Sequence, residues 1–333
     1  MTDVIWEDIV AIAREMQDEL MDFQGRTWVV SGGAGFLGAY FLDLINYCNE
    51  NLWPTPCKVL VLENFRSGVP QRVKHLEKSR YIRVVQADIT QPFVVKGEVD
   101  YIVHAASIAS PSFYRRYPLE TIEANVLGLR NMLELAREKR PKSVLSFSSS
   151  EVYGDPPPQH IPTPEDYNGN VSCTGPRACY DESKRLGETL AVNYYHQWDV
   201  PVKIVRPFNV YGPGLRLEDR RVLPDFFRGA LEGGEISILS DGSPTRSFCY
   251  VRDAIIGFLK ALLSEYNGEA FNIGNDSEEI SMLALARAVA KVVGGASVQF
   301  QSSEDEEYLT DNPQRRCPDL TKARKLLKFT PRV

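Results

Sequence analysis

The sequence predicts an α/β fold, with a doubly wound parallel sheet and a smaller C-terminal lobe. Three observations support this prediction. Short runs of β-branched residues alternate with helix-length segments, and a glycine-rich turn follows the first run. Beyond about residue 206 the alternation gives way to Pro/Gly turns such as YGPGL, EGGE and SDGSPT. Apolar strands separated by helical connections form parallel sheets covered on both faces.

Composition and charge limit the kinds of partner. The 333 residues are 43% hydrophobic and 25% charged, as in ordinary globular proteins. The formal net charge is -6, and no block of Lys and Arg is concentrated in the chain. Because nucleic acids and anionic membranes are bound by basic surfaces, both are disfavoured as partners. We expect a small-molecule partner.

Cysteine and hydropathy patterns indicate a compartment. The six cysteines are scattered without a CxxC pair or a histidine cluster, so we expect reduced thiols and no metal site. No apolar run approaches the ~20 residues that span a bilayer, and no signal-peptide pattern begins the chain. We therefore expect a cytoplasmic location.

The first element is an amphipathic helix over residues 4–22, which makes residues 1–24 a segment placed before the main fold. Its apolar positions follow helical spacing. They are Ile5, Ile9, Ile12, Met16 and Leu20. We expect this helix to pack on its own subunit; binding of a partner is the alternative, because an apolar stripe alone names no partner.

The parallel sheet is predicted over residues 25–205, a Rossmann domain. Its strands are the runs RTWVVS, KVLVLEN, YIRVVQADI, VDYIVHAA, SVLSFSSS and VPVKIVRP. Residues 206–333 form mainly a ligand-binding lobe, with some segments returning to the Rossmann domain and helices near 252–266 and 281–293. Ligands of open parallel sheets bind at the carboxyl ends of the strands, so the lobe would complete a cleft there.

A glycine-rich turn joins the first strand to a helix in RTWVVSGGAGFLGAYFLDLI. Gly32, Gly35 and Gly38 recur at intervals of three. Gly33, Gly35 and Gly38 also match the pattern GxGxxG. Without Cβ atoms the backbone turns tightly and approaches a pyrophosphate, which the amides at the helix N-terminus meet. The turn, with Phe36 and Leu37 in it, predicts a dinucleotide site.

The ends of the second and third strands refine the choice of dinucleotide. Glu63 and Asn64 end the second strand, where an acid accepts hydrogen bonds from ribose hydroxyls and repels a 2′-phosphate. NAD is therefore favoured over NADP, although Arg66 lies close in sequence. Asp88 and Ile89 lie at the end of the third predicted strand, where a contact to the edge of the adenine ring is expected. The alternative for Asp88 is a simple turn at the end of the strand.

The stretch GPRACYDESKR places Tyr180 and Lys184 four residues apart on one helical face. A phenol needs its pKa lowered by about three units, ~4 kcal/mol, to act as a base at neutral pH. An ammonium about 5 Å away supplies roughly 3 kcal/mol, and the positive ring of oxidised NAD much of the rest. With Ser149 hydrogen-bonded to the same substrate oxygen, the pair predicts a base for alcohol oxidation.

Six motifs together make the sequence resemble the extended short-chain dehydrogenases/reductases that act on nucleotide sugars, and within that family the UDP-glucuronate decarboxylases. They are SGGAGFLG, HAASIASPSFYRRYP, SSSEVYGDP, GPRACYDESKR, RPFNVYGP and SPTRSFCYVRD, and the likeness covers about residues 26–330. It implies a Rossmann fold, NAD as cofactor and a nucleotide sugar as substrate, with the C-terminal part as a nucleotide-sugar-binding lobe.

Residues 149–151 separate the reactions within this family. The similar 4,6-dehydratases carry Asp-Glu where this chain has Ser150 and Glu151, so loss of water lacks its acid. The 4-epimerases usually have a small residue in place of Glu151. We therefore expect oxidation at C4, loss of carbon dioxide from the resulting β-keto acid, and return of the hydride, giving UDP-xylose. A 4-epimerase, a UDP-apiose synthase, a 4,6-dehydratase and, remotely, a non-catalytic dinucleotide sensor remain alternatives.

The resemblance also implies further site residues and an assembly. Arg246 matches an arginine of the sugar site, which we include among the catalytic residues with Tyr180, Lys184, Ser149 and Glu151. Asn209 and Arg221 match contacts to the nucleotide diphosphate. Arg177 and Glu182 are interpreted as helix-start scaffold. Family members commonly dimerise through the tyrosine helix and the helix at about residues 117–139, so a homodimer is expected.

Overall fold

The computed structural model describes residues 2–303 and 310–333. A seven-stranded parallel sheet forms its centre, with strand order β11-β6-β5-β4-β1-β2-β3. The strands are β1 (Thr27–Ser31), β2 (Lys58–Glu63), β3 (Ile82–Gln86), β4 (Tyr101–His104), β5 (Ser143–Phe147), β6 (Val202–Pro207), β7 (Val210–Tyr211), β8 (Glu235–Ile238), β9 (Thr245–Arg246), β10 (Cys249–Tyr250), β11 (Ala270–Ile273), β12 (Ile280–Ser281), β13 (Ser297–Phe300) and β14 (Arg315–Arg316). The predicted fold class is confirmed.

Helices cover both faces of this sheet. The α-helices are α1 (Asp3–Glu15), α2 (Gln17–Leu20), α3 (Phe36–Asn51), α4 (Pro70–Val73), α5 (Pro111–Arg116), α6 (Pro118–Glu123), α7 (Leu129–Lys139), α8 (Ala178–Trp198), α9 (Val222–Arg228), α10 (Val251–Leu263) and α11 (Met282–Val293). Shorter 3₁₀ or π segments are Met21–Phe23, Lys74–Leu76, Ala124–Gly128, Ser150–Tyr153, Pro158–His160, Leu217–Asp219, Gly229–Gly233 and Ala323–Leu327.

All six strands predicted over residues 26–207 are present, as β1 to β6. The seventh strand, β11, was not predicted; it pairs in parallel with β6 at the edge of the sheet. Helix α10 also belongs to this part of the fold, because Phe258 packs edge-on against Phe147 of β5 with ring centroids 4.8 Å apart. Two segments beyond residue 206 therefore return to the main sheet.

The N-terminal segment packs on its own subunit, as expected. Helix α1 contacts α3 and α10. The predicted single helix is interrupted at Met16, where α1 ends and α2 begins one residue later. All five apolar positions of the predicted stripe are buried. On the same face, Asp8 accepts hydrogen bonds from the hydroxyls of Tyr40 at 3.1 Å and Tyr250 at 3.0 Å.

The small lobe consists of α9, β8, α11 and β13 together with the three-stranded sheet β12-β9-β14. Its own apolar core includes Phe226, Ile236 and Val289. The predicted helix near 281–293 is α11 of this lobe. In the described residues, no helix is long and apolar enough to cross a membrane.

Candidate active site

A cavity of about 790 Å³ lies between the carboxyl ends of the central strands and the small lobe. Its lining includes the glycine turn after β1, Tyr180 and Lys184 of α8, and Arg246 of β9. Within residues 2–303 and 310–333, no group of three or more His, Cys, Asp or Glu side chains is placed to hold a metal ion.

The glycine turn has the geometry of a pyrophosphate cradle. Gly32 has φ +75°, and a Cβ there would lie 2.6 Å from the backbone of Ala106. A Cβ on Gly38 would lie 2.3 Å from the carbonyl oxygen of Gly32. Both positions therefore require glycine. Helix α3 begins at Phe36 directly after the turn, so its N-terminal amides face the cavity, as binding of an anionic diphosphate requires.

Glu63 lies beneath the glycine turn and not on the cavity wall. Its carboxylate accepts hydrogen bonds from the backbone N–H groups of Ala34 and Phe65, each at 2.9 Å. The residue is 5% exposed. Asn64 accepts a hydrogen bond from the backbone of Arg66 at 3.0 Å and likewise does not line the cavity. Glu63 thus fixes the shape of the turn in this structure.

Asp88 makes the strand-end turn that was its alternative interpretation. Its Oδ1 accepts hydrogen bonds from the backbone N–H and the hydroxyl of Thr90, at 3.0 and 2.8 Å. Ile89 is buried, and a Cβ on Gly128 would lie 2.8 Å from its side chain. Neither Asp88 nor Ile89 lines the cavity, so the adenine-edge contact stays a prediction.

Ser149, Tyr180 and Lys184 meet at the carboxyl end of β5. The tyrosine and the lysine lie in the first two turns of α8, with the Lys184 Nζ 5.7 Å from the centre of the Tyr180 ring. The Ser149 side chain lies close enough to Tyr180 to act on the pKa of its phenol, and its hydroxyl accepts a hydrogen bond from the backbone N–H of Glu151 at 3.2 Å. The Lys184 ammonium donates to the carbonyl of Phe147 at 2.8 Å, which fixes its position behind the ring.

The electrostatics of this group correct one expectation. Burial raises the pKa of Tyr180 to about 12, although Ser149 and Arg221 act against it. Burial also lowers the pKa of Lys184 to about 7, so its ammonium gives up much of its charge in neutral solution. The lysine therefore does not lower the pKa of the phenol as expected from spacing alone. Transfer of a proton to Tyr180 requires a further positive charge at the cavity.

Glu151 is held by two arginines. One carboxylate oxygen accepts from Nη2 of Arg177, and the other accepts from Nη1 of Arg316. Burial acts to raise the pKa of Glu151, but the two guanidinium groups outweigh it and lower the pKa to about 2. Arg177, interpreted from sequence as scaffold, thus contacts a candidate catalytic side chain. Arg316 was not predicted as a site residue.

Arg246 reaches the same cavity from β9. Its guanidinium donates to the side-chain oxygen of Asn312 at 3.1 Å and to the carbonyl of Thr245 at 2.8 Å. The residue is 8% exposed. Burial, reinforced by the nearby charge of Arg316, lowers the pKa of Arg246 to about 10, so it remains a cation at neutral pH.

The two residues matched to diphosphate contacts also line the cavity. Asn209 donates to the carbonyl of Ser247 at 2.8 Å, and Arg221 donates to the carbonyl of Ala109 at 3.0 Å. Glu182 is paired with Arg185 on the outer face of α8, at 3.5 Å, consistent with a scaffold role. The structure therefore brings together all the predicted catalytic and substrate-binding residues, and leaves four predicted cofactor contacts outside the cavity: Glu63, Asn64, Asp88 and Ile89.

A Rossmann sheet with a glycine turn, a Tyr-xxx-Lys helix and a second lobe over the strand ends defines the extended short-chain dehydrogenase/reductase class. A family model for the NAD dependent epimerase/dehydratase family matches residues 28–274. The chain belongs to this family.

Relatives within the family are similar over most of the chain. A UDP-glucuronic acid decarboxylase 5 of Arabidopsis thaliana is 38% identical over 305 residues, which cover 92% of this chain and 84% of that protein. A UDP-glucuronic acid decarboxylase 1 of Xenopus tropicalis is 38% identical over 306 residues, covering 92% of this chain and 68% of that protein.

Solved structures show the same fold. An epimerase from Methanothermobacter thermautotrophicus matches with a TM-score of 0.82 and 27% identity, over 96% of this chain and 92% of that one. A UDP-glucuronic acid 4-epimerase from Bacillus cereus, solved in complex with UDP-glucuronic acid and NAD, matches with a TM-score of 0.76 and 25% identity over 92% of this chain and 94% of that one.

Proposed function

We propose that this protein converts UDP-glucuronate into UDP-xylose and carbon dioxide, with NAD as a recycled cofactor. One observation carries the proposal: Ser149, Tyr180 and Lys184 share a cavity with Glu151 and Arg246, between the glycine turn and the small lobe. The similarity to UDP-glucuronic acid decarboxylases at 38% identity supports the choice of substrate.

The hydroxyl pair of Ser149 and Tyr180 is suited to hold the C4 oxygen of the sugar. The proton of the C4 hydroxyl passes to the phenol oxygen of Tyr180, which must be ionised to accept it, and Ser149 orients the C4 oxygen for this transfer. Bound NAD would accept the hydride from C4 and return it after carbon dioxide has left. Lys184 keeps the Tyr180 ring in place through its contact with the Phe147 carbonyl.

Arg246 supplies a fixed positive charge at the sugar site. Once C4 is a ketone, the C6 carboxylate is β to it, and the electrons of the breaking C5–C6 bond pass to the C4 oxygen. A proton taken up from solvent then adds to C5, giving a pentose. A buried guanidinium binds and orients the uronate carboxylate, whereas the hydroxyls of Ser149 and Tyr180 meet the negative charge that develops on the C4 oxygen as carbon dioxide leaves.

The reaction is tested with purified protein and a panel of UDP-, dTDP-, GDP- and CDP-sugars, followed by mass spectrometry. Loss of carbon dioxide, loss of water and isomerisation are separated by product mass or by chromatography. We expect turnover of UDP-glucuronate to UDP-xylose, lost in Tyr180→Phe. A wild-type protein that binds NAD and leaves UDP-glucuronate unchanged would contradict the proposal.

We also propose that NAD is bound in preference to NADP, with its diphosphate on the glycine turn. Gly32, Gly35 and Gly38 form the cradle, and the match to the NAD dependent epimerase/dehydratase family together with the NAD-bound structure of the Bacillus cereus relative supports the choice of NAD. Isothermal titration should give a lower dissociation constant for NAD than for NADP. Equal constants would count against this choice.

A homodimer is proposed through α6 and α8. These helices pack on each other, and apolar side chains on them and on the connection after α6 remain exposed to solvent. They are Leu119, Ile122, Leu127 and Leu186. A second copy of the chain would cover them. Light scattering after gel filtration measures the mass, and a monomer would contradict the proposal. The cytoplasmic location stays a prediction, to be tested by cell fractionation.

A further inference from the structure

A second cavity, of about 610 Å³, lies at the edge of the central sheet opposite the candidate active site. It opens at the amino ends of three strands, because Tyr101 begins β4, Ser143 begins β5 and Lys203 is the second residue of β6. The end of the N-terminal segment and the last turn of α10 form its other walls. The two cavities share no lining residue.

Lys203 is a buried lysine, 2% exposed, and no carboxylate of the described residues pairs with it. Its Nζ donates to the hydroxyl of Ser143 at 2.8 Å and to the carbonyl of Pro201 at 3.4 Å. The Ser143 hydroxyl in turn donates to the carbonyl of Leu262 at 2.6 Å. An ammonium has three N–H donors, so one donor of Lys203 is left over. Because lysines are rarely buried without an opposite charge, this position favours a bound anion.

Arg26 brings a second unused donor to the same cavity. Its Nη1 lies 3.5 Å from Oδ1 of Asp100, whose other oxygen accepts from the backbone N–H of Thr27 at 2.9 Å. The Nε of Arg26 is buried and has no hydrogen-bond partner among the residues that the structure describes. A buried donor without a partner destabilises the fold, so a ligand oxygen that accepts from it is favoured.

The charges around this cavity are mainly positive. Its lining carries the cations Arg26, Lys142 and Lys203, and the carboxylate of Asp22. Asp100, which does not line the cavity, pairs with Arg26 and still leaves an excess of positive charge. Burial lowers the pKa of Lys203 to about 8, so its ammonium remains mostly charged in neutral solution.

We propose that this cavity is a second ligand site, which binds a phosphate group through Lys203 and Arg26. A phosphate monoester supplies the negative charge that Lys203 lacks, and its oxygens accept from the unused N–H donors of both side chains. Arginine and lysine are the side chains that proteins use to bind phosphate. Lys142, which is exposed at the same cavity, adds attraction for a dianion.

Isothermal titration with inorganic phosphate tests the site. The protein is first saturated with NAD and UDP, which keeps phosphate away from the first cavity, and sodium chloride holds the ionic strength constant. We expect saturable binding of one phosphate per chain. In Lys203→Met the dissociation constant should rise at least tenfold, because a charge-assisted hydrogen bond and the opposite charge are both lost. Methionine fills the space of the apolar lysine stem, so we expect this variant to fold.

Lys291→Met is the matched control. Lys291 is exposed in the last turn of α11 in the small lobe, and it lines neither cavity. Its replacement removes the same charge from the chain, so an effect of net charge alone would appear in both variants. We expect the dissociation constant for phosphate in Lys291→Met to equal that of the wild type.

Two results would overturn the proposal: no saturable binding of phosphate to the wild type, or the same affinity in Lys203→Met. Sodium acetate in a parallel titration tests the class of anion. We expect acetate to bind at least tenfold more weakly than phosphate, because it carries a single charge, and equal or tighter binding of acetate would contradict a phosphate site.

A second variant keeps the test decisive. If circular dichroism shows that Lys203→Met does not fold, Arg26→Gln replaces it, because the Arg26 side chain is 39% exposed and tolerates substitution better. Loss of its guanidinium should also weaken phosphate binding at least tenfold, and an unchanged affinity would overturn the proposal. Neither titration depends on turnover of UDP-glucuronate, so the outcome is independent of the proposed function.

Discussion

Replacement of Gly38 by alanine tests the dinucleotide cradle. The added Cβ would lie 2.3 Å from the carbonyl oxygen of Gly32 and 3.0 Å from the Cα of Gly33. The first distance is about 1.2 Å below an ordinary nonbonded contact of ~3.5 Å, and both neighbours are backbone atoms that cannot rotate away. Helix α3 must therefore move away from the turn. Overpacking of this kind costs about 1–3 kcal/mol, which exceeds the ~1 kcal/mol that alanine gains over glycine within a helix.

Equilibrium urea unfolding and isothermal titration with NAD measure the two consequences of Gly38→Ala. We expect a lower free energy of unfolding and at least a tenfold rise in the NAD dissociation constant, ~1.4 kcal/mol. Gly187→Ala in α8 is the matched control, because its Cβ would meet the movable end of Leu129 at 3.2 Å. A Gly38→Ala protein with unchanged stability and unchanged NAD affinity would show that the backbone contact between Gly38 and Gly32 is not required for the cradle.

Three further predictions concern other parts of the molecule. Tyr250→Phe removes a hydrogen bond to Asp8 and should lower the free energy of unfolding by about 1–2 kcal/mol in urea denaturation; an unchanged value would count against the role of this contact. Burial holds the pKa of Lys184 at about 7 in the folded chain against ~10.4 in the unfolded chain, so the unfolded state binds more protons between those values. The melting temperature of the wild type relative to Lys184→Met should therefore rise from about pH 7 to about pH 10, and a constant difference would contradict this. Leu186→Glu should convert a homodimer into monomers in light scattering, and a persistent dimer would place the interface elsewhere.

The central sheet was predictable because its middle strands β1, β4 and β5 are buried almost completely. Such strands appear in sequence as largely apolar runs, whereas the edge strand β3 exposes Arg83 and Gln86 and was predicted from its β-branched residues. The seventh strand, β11, has only four residues and contains Asn272. That asparagine is fully buried, and its amide donates to the carbonyls of Thr163 and Asp319. Because a polar residue within so short a run hides the apolar pattern, local sequence did not reveal this strand.

The site shows the same division between local and distant information. Tyr180 and Lys184 lie one helical turn apart, so their proximity followed from spacing. The contact of Arg316 with Glu151 joins residues 165 positions apart, and RRCPD contains no local signal that distinguishes Arg316 from Arg315. The pKa of Tyr180 was also beyond reach, because it depends on burial created by the tertiary fold.

UDP-glucuronate labelled with ¹³C at C6 provides the most direct test of decarboxylation by this protein. We expect the label to leave as carbon dioxide, with one UDP-xylose formed per carbon dioxide released and no accumulation of NADH. The position of the label distinguishes decarboxylation from the other reactions that begin with oxidation at C4, because epimerisation and loss of water both keep C6 in the sugar. A product that retains the label would contradict the assignment of this cavity to decarboxylation.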